Sequence, residues 1–111
     1  QCAATAEVLA DIADAMKGSG VKIFVDGGIR SGVDVFKALA LGADAVLICR
    51  PFVPMVYGGA EEGVKLYIEK IGAELSDTMA MCGAHKLSDI KRSMCGAENL
   101  ASINRDMVLV K

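Results

Sequence analysis

The chain has 111 residues with a formal net charge of −2, and 53% of the residues are hydrophobic. This weakly acidic balance opposes nucleic-acid binding, which requires a basic face, and no apolar run reaches the roughly 18–20 residues of a membrane-spanning helix. The segment from Gln1 to Met16 carries acidic residues and no basic one, unlike a signal or transit peptide. Four cysteines show neither a CxxC pair nor zinc-ligand spacing, so we expect reduced thiols and a cytoplasmic protein: Cys2, Cys49, Cys82 and Cys95.

A helix and a short strand are predicted first along the chain. Thr5 is a candidate helix cap, and Gly18 and Gly20 end the helix. The apolar positions of this helix follow helical spacing: Val8, Leu9, Ile12 and Met16. The run Val21 to Val25 is apolar on both faces apart from a single lysine, which predicts a strand of a parallel sheet covered on both sides.

The segment after this strand predicts a glycine turn followed by a second helix. Asp26 to Arg30 form the turn, and the three-residue spacing of Ser31 and Asp34 approximates a capping box. The helix is predicted over Val33 to Leu41, with Gly42 as its terminating glycine. The positive amino end of this helix is therefore directed toward the turn.

A second strand and helix repeat this pattern. Ala45 to Ile48 reads as a strand, and Pro51 suits the first turn of a helix because its missing N–H has no partner there. Pro54 keeps that helix short, and the pair Gly58-Gly59 ends it.

A long helix is predicted from Ala60 to Cys82, with Gly83 ending it. Its apolar stripe advances in steps of three and four: Val64, Ile68, Ile71, Leu75, Met79 and Cys82. One more short helix is predicted from Leu87 to Met94, and the segment Cys95 to Lys111 is left unassigned.

The alternation of helices and strands predicts an α/β fold. Two strands cannot form a sheet that is buried on both faces, and a complete (β/α)8 barrel needs about 200 residues or more. We therefore expect carboxyl-terminal βα units of a barrel that is incomplete in this chain. The whole of residues 1–111 is read as one such fragment, with residues 91–111 uncertain.

The two strand ends predict a phosphate-binding site. In parallel α/β folds, ligands bind at the carboxyl ends of neighbouring strands. Glycines let the backbone approach a ligand closely, and each loop carries one arginine. A single glycine turn with solvated arginines is the alternative, but the repeated strand-loop-arginine-helix pattern favours binding. The candidate residues are Asp26, Gly27, Gly28, Ile29, Arg30, Cys49 and Arg50.

Two segments resemble one known family. The segment VDGGIRSGVDVFKALALGADAVLICRPF resembles the carboxyl-terminal signature of the FMN-dependent α-hydroxy-acid oxidases and dehydrogenases, which include glycolate and lactate oxidases. The later segment GGAEEGVKLYIEKIGAELSDTMAMCG resembles the long helix of that family and its end. The resemblance extends from Thr5 to Ile90, and the tail from Lys91 onward has no counterpart.

This resemblance implies a TIM barrel that holds FMN at the carboxyl ends of its strands. Asp26 to Arg30 match the first flavin-phosphate loop, and Cys49 with Arg50 matches the second, where the family usually has Gly-Arg. Asp26 is then a residue that shapes the loop or contacts the flavin ribityl chain. Cys49 is interpreted as a tolerated substitution that keeps the amide N–H, with a redox or regulatory role as the alternative.

The resemblance places the family's catalytic histidine and its substrate-binding arginine before Gln1, so no catalytic residue is assigned in this chain. His85, the single histidine, lies in a C-G-A-H-K context unlike that motif and is interpreted as a surface or helix-cap residue. The implied parent is a homo-oligomeric oxidoreductase that converts a small L-2-hydroxy acid to the 2-oxo acid. The isolated chain is expected to be inactive.

Two alternatives remain open at the level of sequence. Type 2 isopentenyl-diphosphate isomerase and the IMP dehydrogenase group also carry GGIR-like loops followed by KALALGA-like helices, although the R-P-F and T-M-A-M-C-G segments favour the hydroxy-acid family. The other alternative is a non-catalytic truncated module that binds a phosphate compound weakly or only packs against a partner.

Overall fold

Helices and strands alternate along residues 2–95, which are the residues that the computed structural model describes. This order confirms the α/β class. Two 3-10 helices, Leu87–Asp89 and Arg92–Cys95, follow the last α-helix. The elements are α1 (Thr5–Ala15), β1 (Phe24–Asp26), α2 (Gly32–Ala40), β2 (Ala45–Leu47) and α3 (Phe52–Cys82).

The two strands pair in parallel, with Phe24 opposite Ala45 and Asp26 opposite Leu47. Asp44 and Ile23 directly precede the two strands and are linked by two hydrogen bonds. The Asp44 carboxylate accepts the Ile23 N–H at 2.9 Å, and the Asp44 N–H donates to the Ile23 carbonyl at 2.8 Å. Since both polar backbone groups of Ile23 bind Asp44 in this way, the ladder begins at Phe24, later than the sequence predicts. Both strands therefore end where the two candidate loops begin.

The core lies on one face of this sheet. Val25 and Ile29 are buried against residues of α1 and α2, and the core cluster also contains Leu9, Ala10, Val35, Ala38, Leu41 and Ala43. On the opposite face Phe24 is 63% exposed and Leu47 is 51% exposed. Within residues 2–95 the elements cover only one side of the sheet, which agrees with the expectation that these two strands alone do not form a sheet buried on both faces.

Helix starts agree with the sequence at α2 and differ at α1. Ser31 caps α2 as predicted, since its hydroxyl accepts the Asp34 N–H at 3.3 Å and the Asp34 carboxylate accepts the Ser31 N–H at 3.1 Å. Thr5 does not cap α1: it is the first helical residue, and the Glu7 carboxylate accepts the Ala4 N–H at 2.9 Å. A carboxylate in the first turn thus takes the role that was predicted for the threonine.

The helix α3 is interrupted, and its inward face differs from the predicted one at Ile68. Ala60 has φ 45° and ψ −129°, so the helical geometry stops next to the predicted break at Gly58-Gly59. Beyond the break, Tyr67 is only 6% exposed whereas Ile68 is 57% exposed. The predicted stripe was therefore rotated by about one residue over this turn, and Tyr67 takes the place of Ile68 in the interior.

The segment after α3 is fixed to the other helices through Arg92. Its guanidinium donates to both carboxylate oxygens of Asp14 at 2.9 Å and to the carbonyls of Ala10 and Leu41 at 3.4 Å. Two 3-10 turns replace the single helix predicted for Leu87 to Met94. The unassigned tail lies outside the described residues from residue 96 onward. Within residues 2–95, no helix has the length and apolarity needed to cross a membrane.

Candidate active site at the strand ends

The first loop leaves β1 through two glycines in the left-handed region. Gly27 has φ 99° and Gly28 has φ 79°, values that other residues adopt only with strain. The carboxylate of Asp26 accepts the Gly27 N–H at 2.8 Å, a contact within the loop itself. The N–H groups of Gly28 and Ile29 donate no hydrogen bond within residues 2–95, so they are free to bind a ligand.

The second loop joins β2 to α3. Cys49 and Arg50 are exposed, and Pro51 precedes the first helical residue with φ −61°. The carbonyls of Cys49 and Arg50 accept N–H groups of the first turn of α3 at 3.0 and 3.1 Å. Their own N–H groups donate no hydrogen bond within the described range. This loop therefore offers two further backbone donors beside a helix amino end.

Both loops line a single cleft of about 620 Å³. The parallel pairing of the strands produces this arrangement, because it brings their carboxyl ends to the same edge of the sheet. All seven sequence-predicted site residues line the cleft: Asp26, Gly27, Gly28, Ile29, Arg30, Cys49 and Arg50. It is completed by Leu47, Pro51, Pro54, Met55 and Tyr67.

The charges of the cleft suit an anion. Arg30 and Arg50 are exposed, and neither forms an ion pair with an acidic residue in the range 2–95. Asp26 is the one acidic side chain among the lining residues. Two unpaired guanidinium groups and four free amides make a donor set for a phosphate dianion, since charged donors form the stronger hydrogen bonds.

One predicted donor is not available to a ligand. The amino end of α2 is already capped by protein carboxylates: Asp34 accepts the N–H groups of Arg30 and Ser31 at 3.0 and 3.1 Å, and Glu74 accepts the Gly32 N–H at 2.8 Å. This hydrogen bond from Gly32, together with the one from Lys70, holds the pKa of Glu74 below its ordinary value. These three N–H groups are therefore not available to a ligand.

Sequence reasoning missed two residues that shape this site. Tyr67 donates from its Oη to the Arg30 carbonyl at 2.7 Å, and burial raises the pKa of its phenol. Glu74 reaches Gly32 from α3, and a Cβ at Gly32 would lie 2.6 Å from the Glu74 Cβ. The available signal was the spacing Tyr67-Ile71-Glu74, which is as helical as the apolar stripe but mixes polar and apolar residues.

His85 does not belong to the cleft, and neither do Cys2, Cys82 and Cys95. His85 is exposed, its backbone N–H donates to the Asp89 carboxylate at 3.1 Å, and it does not line the cleft. These contacts agree with a surface residue at a helix end. Within residues 2–95, no three His, Cys, Asp or Glu side chains are grouped so as to hold a metal ion.

Most of the sequence matches a protein family. The sequence model of the FMN-dependent dehydrogenases aligns with residues 1–97, a range that includes both loops of the cleft. The chain belongs to the FMN-dependent dehydrogenase family, as the resemblance implied. The cofactor of this family is FMN, whose phosphate is an anion of the kind that the cleft suits.

The relatives are 2-hydroxy-acid oxidases and related enzymes. A peroxisomal (S)-2-hydroxyacid oxidase of Arabidopsis thaliana is 46% identical over 90 residues, which are 81% of this chain and 24% of that protein. An L-lactate oxidase of Roseobacter sp. (strain GAI101) is 46% identical over 82 residues, which are 74% of this chain and 22% of that protein. The chain thus spans about a quarter of the length of these relatives.

Solved structures of the same kind have the same local fold. A mandelate oxidase variant superposes with a TM-score of 0.74 at 40% identity, over 78% of this chain and 26% of that one. A flavocytochrome b2 variant superposes with a TM-score of 0.76 at 33% identity, over 80% of this chain and 24% of that one. A further mandelate oxidase structure contains an FMN adduct.

Proposed function

We propose that this chain supplies the flavin-phosphate cleft of an FMN-dependent oxidoreductase acting on a small L-2-hydroxy acid. In this proposal the two loops at the strand ends bind the FMN phosphate. The observation that carries this proposal is that both loops, each with an unpaired arginine, line one cleft of about 620 Å³. Family membership supports the choice of FMN over other phosphate compounds.

The donor set fits the phosphate of FMN. Gly28 and Ile29 on the first loop, with Cys49 and Arg50 on the second, offer N–H groups that no described residue uses. Gly27 and Gly28 have no Cβ that would crowd a phosphate oxygen, and as glycines they adopt their positive φ without strain. Cys49 contributes an amide as glycine would, so the substitution is compatible with phosphate binding.

The reaction itself is inferred from the relatives. Their names include 2-hydroxyacid oxidase, L-lactate oxidase and L-lactate dehydrogenase, which supports a 2-hydroxy acid as substrate and a 2-oxo acid as product. When bound, FMN supplies the acceptor for the hydride of the substrate. The residues of this chain hold the phosphate and thereby orient the ring. Asp26 shapes the first loop, and His85 has no part in the site.

We also propose that these βα units are the carboxyl-terminal part of a (β/α)8 barrel. The exposed apolar sheet face, with Phe24 and Leu47, is the surface that further strands of a barrel would cover. The outer edges of β1 and β2 have no partner strand within residues 2–95, and closure of a barrel removes such edges. The homo-oligomeric state and the cytoplasmic location remain predictions of the sequence.

Comparison of FMN with riboflavin tests the binding proposal, because the two ligands differ only by the phosphate. We expect the full 111-residue chain to bind FMN at least about tenfold more tightly than riboflavin, since charge-assisted hydrogen bonds contribute about 1.5–3 kcal/mol each. Arg50→Ala or Arg30→Ala should remove most of this preference. The binding constants would be measured from the fluorescence anisotropy of the flavin.

Lys65→Ala is the matched control, because it removes an exposed cation on α3 that does not line the cleft. Equal affinity for FMN and riboflavin, or full FMN preference in both arginine variants, would refute the proposed cleft. The isomerase and IMP dehydrogenase alternatives are not supported by the family match, which names the FMN-dependent dehydrogenases.

A further inference from the structure

We propose that Tyr67 is a positioning residue that holds the two loops of the cleft at a fixed separation. This inference rests on the proposed function of the cleft. Tyr67 belongs to neither loop: it lies on α3, far along the chain from both, and its side chain lines the cleft between them. Its hydroxyl binds the first loop, and its ring packs against Phe52, the residue at which α3 begins after the second loop.

The contact with the first loop is polar. The Oη of Tyr67 donates to the carbonyl of Arg30 at 2.7 Å, and Arg30 is the residue that carries the cationic group of this loop. The N–H of the same peptide group, from Ser31, donates to the Asp34 carboxylate at 3.1 Å. The peptide plane after Arg30 is therefore held at both its oxygen and its nitrogen, which restricts the direction in which the loop can turn.

The contact on the side of the second loop is aromatic and is made with the first residue of α3. The ring of Tyr67 meets the ring of Phe52 edge to face, with centroids 4.9 Å apart and an interplanar angle of 79°. Phe52 begins α3 directly after Arg50 and Pro51. Such aromatic pairs contribute orientation beyond simple burial, and a tyrosine has few rotatable bonds. The helix start that directly follows the second loop is thereby packed against the side chain that binds the first loop.

The phenol group is not required to dock α3 on the core. Ile71 and Leu75 pack against the core cluster, and Glu74 binds the Gly32 N–H, so α3 has independent anchors on α2. The hydroxyl of Tyr67 instead donates its hydrogen bond to the first loop. Removal of this hydroxyl should therefore release the first loop more than the helix. In the variant, phosphate binding must order this loop, which is already ordered in the wild type, and the affinity falls by that cost.

Tyr67→Phe tests this role, because it keeps the ring against Phe52 and deletes only the hydrogen bond to Arg30. We expect the dissociation constant for FMN to rise about threefold to tenfold, the range that corresponds to one ordinary hydrogen bond. Riboflavin affinity should change less, since riboflavin has no phosphate to be held between the loops. Both constants would be measured well below the thermal transition of each variant.

Tyr57→Phe is the matched control: it makes the same chemical change at a tyrosine of α3 that is 89% exposed. It should leave both flavin affinities unchanged. Phe52→Leu removes the aromatic partner, and we expect it to weaken FMN in the same direction. Tyr67→Phe and Phe52→Leu together separate the polar contact of Tyr67 from its aromatic contact.

The outcomes distinguish this inference from the function on which it rests. If the wild type prefers FMN to riboflavin and Tyr67→Phe keeps the full preference, Tyr67 is only a packing residue and the inference is wrong, while the cleft stands. If Tyr67→Phe lowers the melting temperature but leaves the FMN constant unchanged, the same conclusion holds. If the wild type shows no preference for FMN, the proposed function fails and the positioning role fails with it.

Discussion

Replacing Gly32 by alanine should separate α2 from α3. An added Cβ would lie 2.5 Å from the backbone oxygen of Ile71 and 2.6 Å from the Cβ of Glu74, and it would also overlap the backbone nitrogen of Leu75. Two of these three neighbours are backbone atoms within a helix, so no change of rotamer can relieve the overlap. The helices must move apart, and the hydrogen bond from the Gly32 N–H to the Glu74 carboxylate is then lost.

The cost follows from these two contacts. Overpacking costs about 1–3 kcal/mol, and leaving a hydrogen-bonded group without its partner costs about 1–3 kcal/mol. We therefore expect Gly32→Ala to lower the free energy of unfolding by about 3 kcal/mol. For a domain of this size that corresponds to a fall of roughly 10–20 °C in the melting temperature. Urea unfolding followed by far-UV circular dichroism would give the free energy directly.

Gly72→Ala provides the control on α3. A Cβ at Gly72 would meet no atom within 4 Å, so this variant gains helix propensity without a clash and should be more stable by about 0.5–1 kcal/mol. The reasoning is refuted if Gly32→Ala unfolds within about 0.5 kcal/mol of the wild type, the range of ordinary surface substitutions.

Three further predictions follow from the described residues. Ala60→Gly should stabilise the chain by about 1 kcal/mol, because φ 45° with ψ −129° strains an alanine; no gain in a urea titration would contradict this. The hydrogen bond from Arg92 holds the pKa of Asp14 below its ordinary 3.8, so its stabilisation is present above the unfolded-state pKa and is lost as the pH falls through the lower folded-state pKa. Asp14→Asn should flatten this acid dependence of the melting temperature, and an unchanged slope would count against it. The 111-residue chain with FMN should not oxidise glycolate or lactate; anaerobic bleaching of the flavin that disappears in His85→Ala would overturn the exclusion of His85.

Much of the cleft could be predicted from the sequence. The glycines after β1 and the arginine of each loop are local signals, and the capping pair Ser31 and Asp34 lies within one helical turn. Their meeting on one cleft required only that the two strands pair in parallel, since parallel strands end at the same edge of a sheet. The break near Gly58-Gly59 was also predictable, although the strained residue is Ala60.

The features that were mispredicted depend on which surfaces meet. The choice between Tyr67 and Ile68 as the buried residue is a rotation of α3 by one position, and periodicity alone does not decide it when both neighbours are apolar enough to be buried. Strand composition predicts what a sheet face is suited to contact, but it does not say which elements cover that face. The cap of α1 was mispredicted because Thr5 is already the first helical residue and Ala4 is the N-cap.

The sequence by itself determined the chemistry of the two loops: where the chain must turn, which residues leave the backbone open, and where the positive charges stand. These properties depend on interactions within about four residues, which a sequence displays directly. Tertiary structure alone decided that the Gly32 N–H of α2 is bound by Glu74 and that the Tyr67 hydroxyl binds the first loop. The Glu74 carboxylate binds an N–H that lies 42 residues away in the chain, and the Tyr67 hydroxyl binds a carbonyl 37 residues away. Such partners are chosen by the packing of one helix against another, which no local pattern encodes.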